Sequence, residues 1–145
     1  MKHNKTFLHV YLMIALVFGF ISFADNTFTF LSNTFNSTFT FLSFNNEIYT
    51  MVLVGLSFLF FFFNLTSIVV FKYQRVERIA YVLPIYHILN NLLFLGVGLI
   101  LNILNTISDA VWTGVIIAGI ICSLFEIGFS SYLLKRFNFS PEVSP

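Results

Sequence analysis

Four stretches of the chain stay apolar for long enough to cross a bilayer, and most of what separates them is short and polar. They run from about Phe7 to Ala24, Ile48 to Phe71, Ile79 to Leu104 and Ala110 to Leu134. A hydrocarbon core about 30 Å thick takes about 20 helical residues to cross, so each stretch is close to or above the required length. The second contains the unbroken FLFFFF of Phe58 to Phe63. The third and fourth are separated only by Asn105 to Asp109, which predicts an antiparallel helical hairpin. Ser108 or Asp109 suits the N-cap of the fourth helix, its side-chain oxygen taking an amide hydrogen that has no partner within the helix.

The connector from 25 to 47 is the one sizeable region outside these stretches. It contains the unit TFTFLS twice, at 27–32 and 38–43, with no charge between the copies. Strict Thr/Phe alternation is a period-two strand signal. A β-hairpin with its loop at Asn33 to Asn36 would set Phe30 opposite Phe39 and Phe28 opposite Phe41, all on one face. An eleven-residue repeat also suits a helix, at about 3.67 residues per turn. That geometry would leave Phe30, Phe41 and Phe44 opposite the main apolar face, so the hairpin is preferred over a helix or an irregular interfacial loop. On the hairpin reading, Phe28, Phe30, Phe39 and Phe41 form an interfacial or partner-binding surface.

Composition removes the soluble alternatives. The chain is 58% hydrophobic and 9% charged, against roughly 45–50% and about 25% in soluble domains. Charge then orients the spans, because Lys and Arg near span ends stay on the cytoplasmic side. All seven basic residues fall before the first span (Lys2, Lys5), between the second and third (Lys72, Arg75, Arg78) or after the fourth (Lys135, Arg136). The other two connectors carry Asp25, Glu47 and Asp109 instead. The expectation is an all-α integral membrane protein of the cell membrane: a single four-span antiparallel bundle, both termini cytoplasmic, with the Phe/Thr-rich connector outside. Lys72, Arg75 and Arg78 are then placed to contact anionic lipid, at about 1 kcal/mol per basic residue. A cleaved leader ending at Ala24 is the rival for the first stretch. That apolar run exceeds the usual signal core of about 7–15 residues, which favours a retained helix.

Intramembrane polar residues carry the candidate chemistry, since an unpaired polar group in hydrocarbon costs several kcal/mol. At 100° per residue Pro84, His87, Asn91, Gly98, Asn102 and Asn105 share one narrow face of the third span. Trp112, Gly119, Ser123, Glu126 and Ser130 share one face of the fourth. Gly119 and Ser123 form a small-xxx-small pair expected to face the third span. His87 and Glu126 each lie about 12 Å inward from the cytoplasmic end of their span at 1.5 Å per residue. Asn64 reaches a similar level, and Asn91 sits one turn deeper. A polar cluster of Asn64, His87, Asn91, Ser123 and Glu126 follows. Its members read either as structural contacts, worth about 0.6–2 kcal/mol each, or as a titratable His87–Glu126 pair, and the structural reading is preferred.

Other chemistries find no support in the pattern. Three histidines without HxxxH or HExxH spacing and a lone Cys122 supply no preformed metal site or disulfide. No nucleophile elbow or phosphate-cradling loop is present, and a net charge of +1 without a basic surface argues against nucleic acid. No cofactor is implied. The expected role is therefore non-enzymatic: an accessory membrane protein of bacterial or prophage type that binds another membrane component, toxin immunity included. The alternatives are an oligomeric transporter or channel subunit with a proton or cation site at His87 and Glu126, and a holin-like pore former. Expected partners are the lipid bilayer and either a membrane protein or further copies of the chain.

Overall fold

The computed structural model describes residues 4–35, 46–104 and 109–137. Among them the chain is all-helical, with α1 at Asn4–Phe35, α2 at Asn46–Tyr73, α3 at Val82–Leu104 and α4 at Asp109–Arg136. A short 3-10 turn, Arg78–Tyr81, leads into α3. Among the described residues, three helices carry segments long and apolar enough to cross a membrane: Thr6–Leu31, Gly55–Tyr73 and Thr113–Arg136.

The largest departure from expectation is in α1, which continues through the first TFTFLS unit to Phe35. Residues 27–32 are helical, so the first strand of the expected hairpin is not formed. No Gly or Pro interrupts 25–35, and two polar side chains that would otherwise favour a turn, Asn26 and Thr29, are tied back along the helix. Asn26 Nδ2 donates to the Ser22 carbonyl at 2.8 Å, and Thr29 Oγ1 donates to the Asp25 carbonyl at 2.8 Å. Such bonds to the preceding turn occupy groups that compete with the helix when free. Phe28 is exposed and Phe30 half-buried; Phe39 and Phe41 lie outside the described residues. At 1.5 Å per residue α1 is about 48 Å long, well beyond the hydrocarbon thickness of about 30 Å.

The chain leaves α2 through a left-handed residue. Arg75 has φ 53, with Val76 N–H donating to the Phe71 carbonyl at 3.0 Å and Arg75 N–H to the Lys72 carbonyl at 3.2 Å. This is the Schellman pattern, which satisfies carbonyls that the helix end would leave bare. Val76 packs on the core beside the buried Phe71, the apolar contact that accompanies this motif. Pro84 in the first turn of α3 has no N–H to bond back to the Ala80 carbonyl, which lies in the 3-10 turn. The third helix starts at Val82 rather than at Ile79.

Contacts between neighbouring helices run antiparallel. The most extensive pairing is α1 with α4, followed by α2 with α3, while α3 and α4 touch only slightly. Of the Gly119–Ser123 pair expected to face α3, Gly119 faces α1 instead. A side chain at Gly119 would meet Asn26 of α1, and one at Gly19 would meet Glu126 and Ile127. Gly19 and Gly119 therefore let α1 and α4 approach closely at two levels, since missing side chains allow backbones to come together. Consecutive helices in the chain need not be the closest neighbours in a bundle.

The apolar core is concentrated at the end of the bundle that carries the Lys72–Arg78 loop. Leu8, Tyr11, Leu12, Ala15, Phe71, Ala80, Leu83 and Leu133 form one buried cluster there. Phe7, Tyr11, Phe71 and Tyr81 interlock through edge contacts of 5.3–6.0 Å between ring centroids. Outward positions are apolar as well, with Leu59 69% exposed, Leu93 66% and Ile121 62%. Meanwhile Asn64, Ser67, His87, Ser123, Glu126 and Ser130 are buried. Polar groups inside and large hydrocarbon side chains outside reverse the soluble arrangement and match a bilayer as solvent.

Candidate functional site

The site is built from three-to-four-residue spacing on each helix. Asn64 and Ser67 share the inner face of α2 with Phe71; Leu83, Pro84 and His87 share that of α3; Ser123, Glu126 and Ser130 share that of α4. On α1 the matching face is Leu8, Tyr11, Leu12, Ala15 and Gly19. These faces meet about midway along the described bundle.

His87 and Glu126 come together there. Nε2 of His87 lies 3.2 Å from Oε1 of Glu126, with the residues only 4% and 6% exposed. Distance alone does not make the contact a hydrogen bond: among the described residues, neither atom has a partner in hydrogen-bond alignment. The Ser130 hydroxyl, one turn along α4 from Glu126, is also buried without a partner. The imidazole is held between two aromatic rings, Phe60 of α2 at 5.0 Å and Tyr86 at 5.3 Å between centroids. Gly19 allows Glu126 to lie against α1, for a side chain there would come within 3.2 Å of Glu126 Cγ.

The other expected members are placed nearby but bonded differently. Asn64 accepts a 2.6 Å hydrogen bond from the Tyr11 hydroxyl and donates to the Phe60 carbonyl at 2.7 Å. Asn91 donates to the Ser57 carbonyl of α2 at 3.0 Å, one turn beyond His87. Ser123 donates to the Gly119 and Ile120 carbonyls at 2.8 and 2.9 Å, along its own helix. No direct bond joins Asn64, Asn91 or Ser123 to the His87–Glu126 pair among the described contacts. Gly98, Asn102, Asn105 and Trp112 lie outside the residues whose side chains are described.

Tyr11 is the functional neighbour that pattern reading passes over. It is 1% exposed, stacks on Phe63 at 5.6 Å and links α1 to α2 through Asn64. The available signal was a phenol well inside an apolar stretch, since a buried tyrosine hydroxyl needs a partner. Tyr86 plays the comparable part between α3 and α4, its hydroxyl donating to the Cys122 carbonyl at 3.1 Å.

At the loop end Lys72, Arg75 and Arg78 are all exposed. The nearby Arg136 guanidinium pairs with Glu77 at 3.1 Å and also donates to the Tyr132 hydroxyl at 3.1 Å. This contact joins the end of α4 to the α2–α3 connection. The described residues include no group of three or more His, Cys, Asp or Glu able to hold a metal ion.

The arrangement can hold one proton in either of two ways. Protonated imidazole beside carboxylate and neutral imidazole beside carboxylic acid have the same total charge and differ by moving that proton between partners. Removing it leaves a net negative charge in a low-dielectric interior, and adding a second leaves a positive one. Comparison with protein-family models, curated proteins and solved structures finds no match.

Proposed function

We propose that this chain is a four-span membrane protein, with both termini cytoplasmic, whose working element is the His87–Glu126 pair. The pair serves as a proton or cation site in a small non-enzymatic transporter or channel subunit, acting as an oligomer. The observation that carries this reading is the 3.2 Å approach of two buried ionisable groups without hydrogen-bond alignment. Helix register can be held by neutral contacts, and Tyr11–Asn64 and Asn91–Ser57 already do so. An ionisable pair in the same interior adds something that amides cannot, a transferable proton. Oligomerisation supplies the room for a pathway that four closely packed helices lack.

The direct test is flux in sealed proteoliposomes under an imposed pH gradient, followed with an entrapped pH dye. Wild-type protein carries pH-dependent flux, and Glu126→Gln abolishes it while retaining the wild-type unfolding profile. Wild-type vesicles no leakier than empty ones would remove the transport reading.

A second reading is an accessory protein that binds another membrane component, such as an immunity protein against a membrane-active toxin. It is favoured by the densely packed apolar core at the loop end, which suits a scaffold better than a conduit. Crosslinking and pulldown from the native membrane distinguishes the two: a stoichiometric protein partner supports the accessory role, and recovery of homo-oligomers alone speaks against it.

A further inference from the structure

We infer that the loop between α2 and α3, together with the end of α4, is a docking surface for the phosphate headgroups of anionic lipid, held in shape by the apolar core beneath it. The inference goes beyond the proton reading and stands whether or not His87 and Glu126 carry a proton.

The loop is built with two faces. Phe71 and Ala80 are fully buried, and Val76, Ile79 and Tyr81 pack against the same cluster. Lys72, Arg75 and Arg78, spaced three residues apart, are exposed. The backbone between them is tied at successive points. Gln74 N–H donates to the Val70 carbonyl at 2.8 Å, Val76 N–H to that of Phe71 at 3.0 Å and Ala80 N–H to that of Glu77 at 3.0 Å. The three cations therefore leave a fixed scaffold, and a surface ordered in advance loses less entropy when an anion binds.

Arg75 occupies a position that its own backbone does not favour. Among the described residues it is the one non-glycine with a positive φ, 53°. A residue that closes a helix in this conformation is usually Gly or Asn, because a Cβ is disfavoured there. Backbone strain of this kind points to a role for the side chain that incurs it. Here that side chain is an exposed guanidinium.

Charge at this end is unbalanced. Glu77 is the one acidic residue of the loop, and Arg136 takes it at 3.1 Å. Lys72, Arg75, Arg78 and Lys135 have no carboxylate within ion-pair distance among the described residues. A phosphodiester offers charged acceptor oxygens to such donors, and a guanidinium can hold two of them at once.

The level of the surface selects lipid over a soluble anion. Two of the long apolar segments end at Tyr73 and Arg136, so the cations stand where headgroups lie. Tyr73, 89% exposed, and Tyr132, 47% exposed, add the amphipathic rings that favour this level.

The test uses the full-length chain in phosphatidylcholine bilayers carrying spin-labelled phosphatidylglycerol or spin-labelled phosphatidylcholine, with the motionally restricted fraction read by electron paramagnetic resonance. The wild type should prefer phosphatidylglycerol by about fivefold, the ratio given by a single basic contact at the surface. Lys72→Gln/Arg75→Gln/Arg78→Gln should abolish the preference. Arg75→Asn separates binding from folding: Asn tolerates the left-handed backbone, so the unfolding midpoint should hold or rise while the preference falls. Lys2→Gln/Lys5→Gln removes as much charge as Arg75→Gln/Arg78→Gln from elsewhere in the chain, and should leave the preference nearly intact. No preference in the wild type, a preference that the triple substitution or Arg75→Asn leaves unchanged, or an equal loss with Lys2→Gln/Lys5→Gln overturns the inference. Glycerophosphoglycerol, the headgroup without its chains, is then added in large excess at matched ionic strength. It should leave the lipid signal unchanged; displacement of the lipid would overturn the assignment to lipid in favour of a soluble phosphate ligand.

Discussion

Two polar contacts cross the interior at nearly the same level, and they are made on different principles. Tyr11 and Asn64 join α1 to α2 through a 2.6 Å hydrogen bond, with the amide's other end taken by the Phe60 carbonyl. His87 and Glu126 join α3 to α4 at 3.2 Å with neither atom aligned to a partner among the described residues. The first contact is neutral and satisfied, which is how a buried polar network adds rigidity. The second holds groups whose ionisation state must be managed in a low-dielectric interior, and it leaves their donor and acceptor capacity partly unused. The difference separates a contact that sets helix register from one suited to receive something.

The strongest way to break this distinction is Gly19→Val. A Cβ at this position would lie 2.9 Å from Ile127 Cγ1 and 3.3 Å from the Ile127 backbone nitrogen. The α1–α4 crossing must open, at a cost of about 1–3 kcal/mol read from unfolding in detergent. Because Gly19 seats Glu126, the substitution should also remove pH-dependent flux; unchanged stability would mean that the two helices have slack at this crossing. Asn64→Leu is expected next, costing about 1–2 kcal/mol by stranding the Tyr11 hydroxyl. Its flux should survive in the fraction that remains folded.

Glu126→Gln sharpens the contrast from the other side. It keeps shape and removes the ionisable proton, so its stability loss should be smaller than that of Asn64→Leu while pH dependence of flux is lost. Were it instead the more destabilising of the two, the His87–Glu126 contact would be structural after all. Glu77→Gln should do least. That carboxylate pairs with Arg136 in an exposed contact, 59% and 45% accessible, where water competes and salt screens. Thermal unfolding should be indistinguishable from wild type, marking the distance between an ion pair in water and one inside the bundle.

Much of the site was legible because helical phase and depth are one-dimensional quantities. Counting at 3.6 residues per turn puts Pro84 and His87 on one face and Ser123, Glu126 and Ser130 on another, and counting inward from the basic ends gives His87 and Glu126 equal depth. Neighbour choice was not legible in the same way. A short connection joins α3 to α4, but Gly119 of α4 is taken up by Asn26 of α1, and Gly19 of α1 receives Glu126 and Ile127 of α4. Tyr11 was hidden for a related reason: one phenol among aliphatic residues has no periodicity of its own, and its importance comes from Asn64, distant in the chain. At the repeat, alternation and helical phase both fit TFTFLS. An uninterrupted run from α1, with Asn26 and Thr29 bonded back along the helix, resolves residues 27–32 as helix.

Taken alone, the sequence determined the helical class, long apolar segments that suit a membrane, three of them present among the described residues, and the side of each helix on which polar groups gather. These follow from local composition and period, which need no knowledge of a partner. Tertiary structure decided that α1 rather than α3 covers α4, that Asn64 is satisfied by Tyr11, and that His87 and Glu126 meet without aligning above the buried cluster of Leu83, Phe71 and Leu133. Such outcomes depend on how closely backbones can approach, and that is set jointly by side chains on different helices, with Gly19 and Gly119 giving way where Asn26, Glu126 and Ile127 need the space.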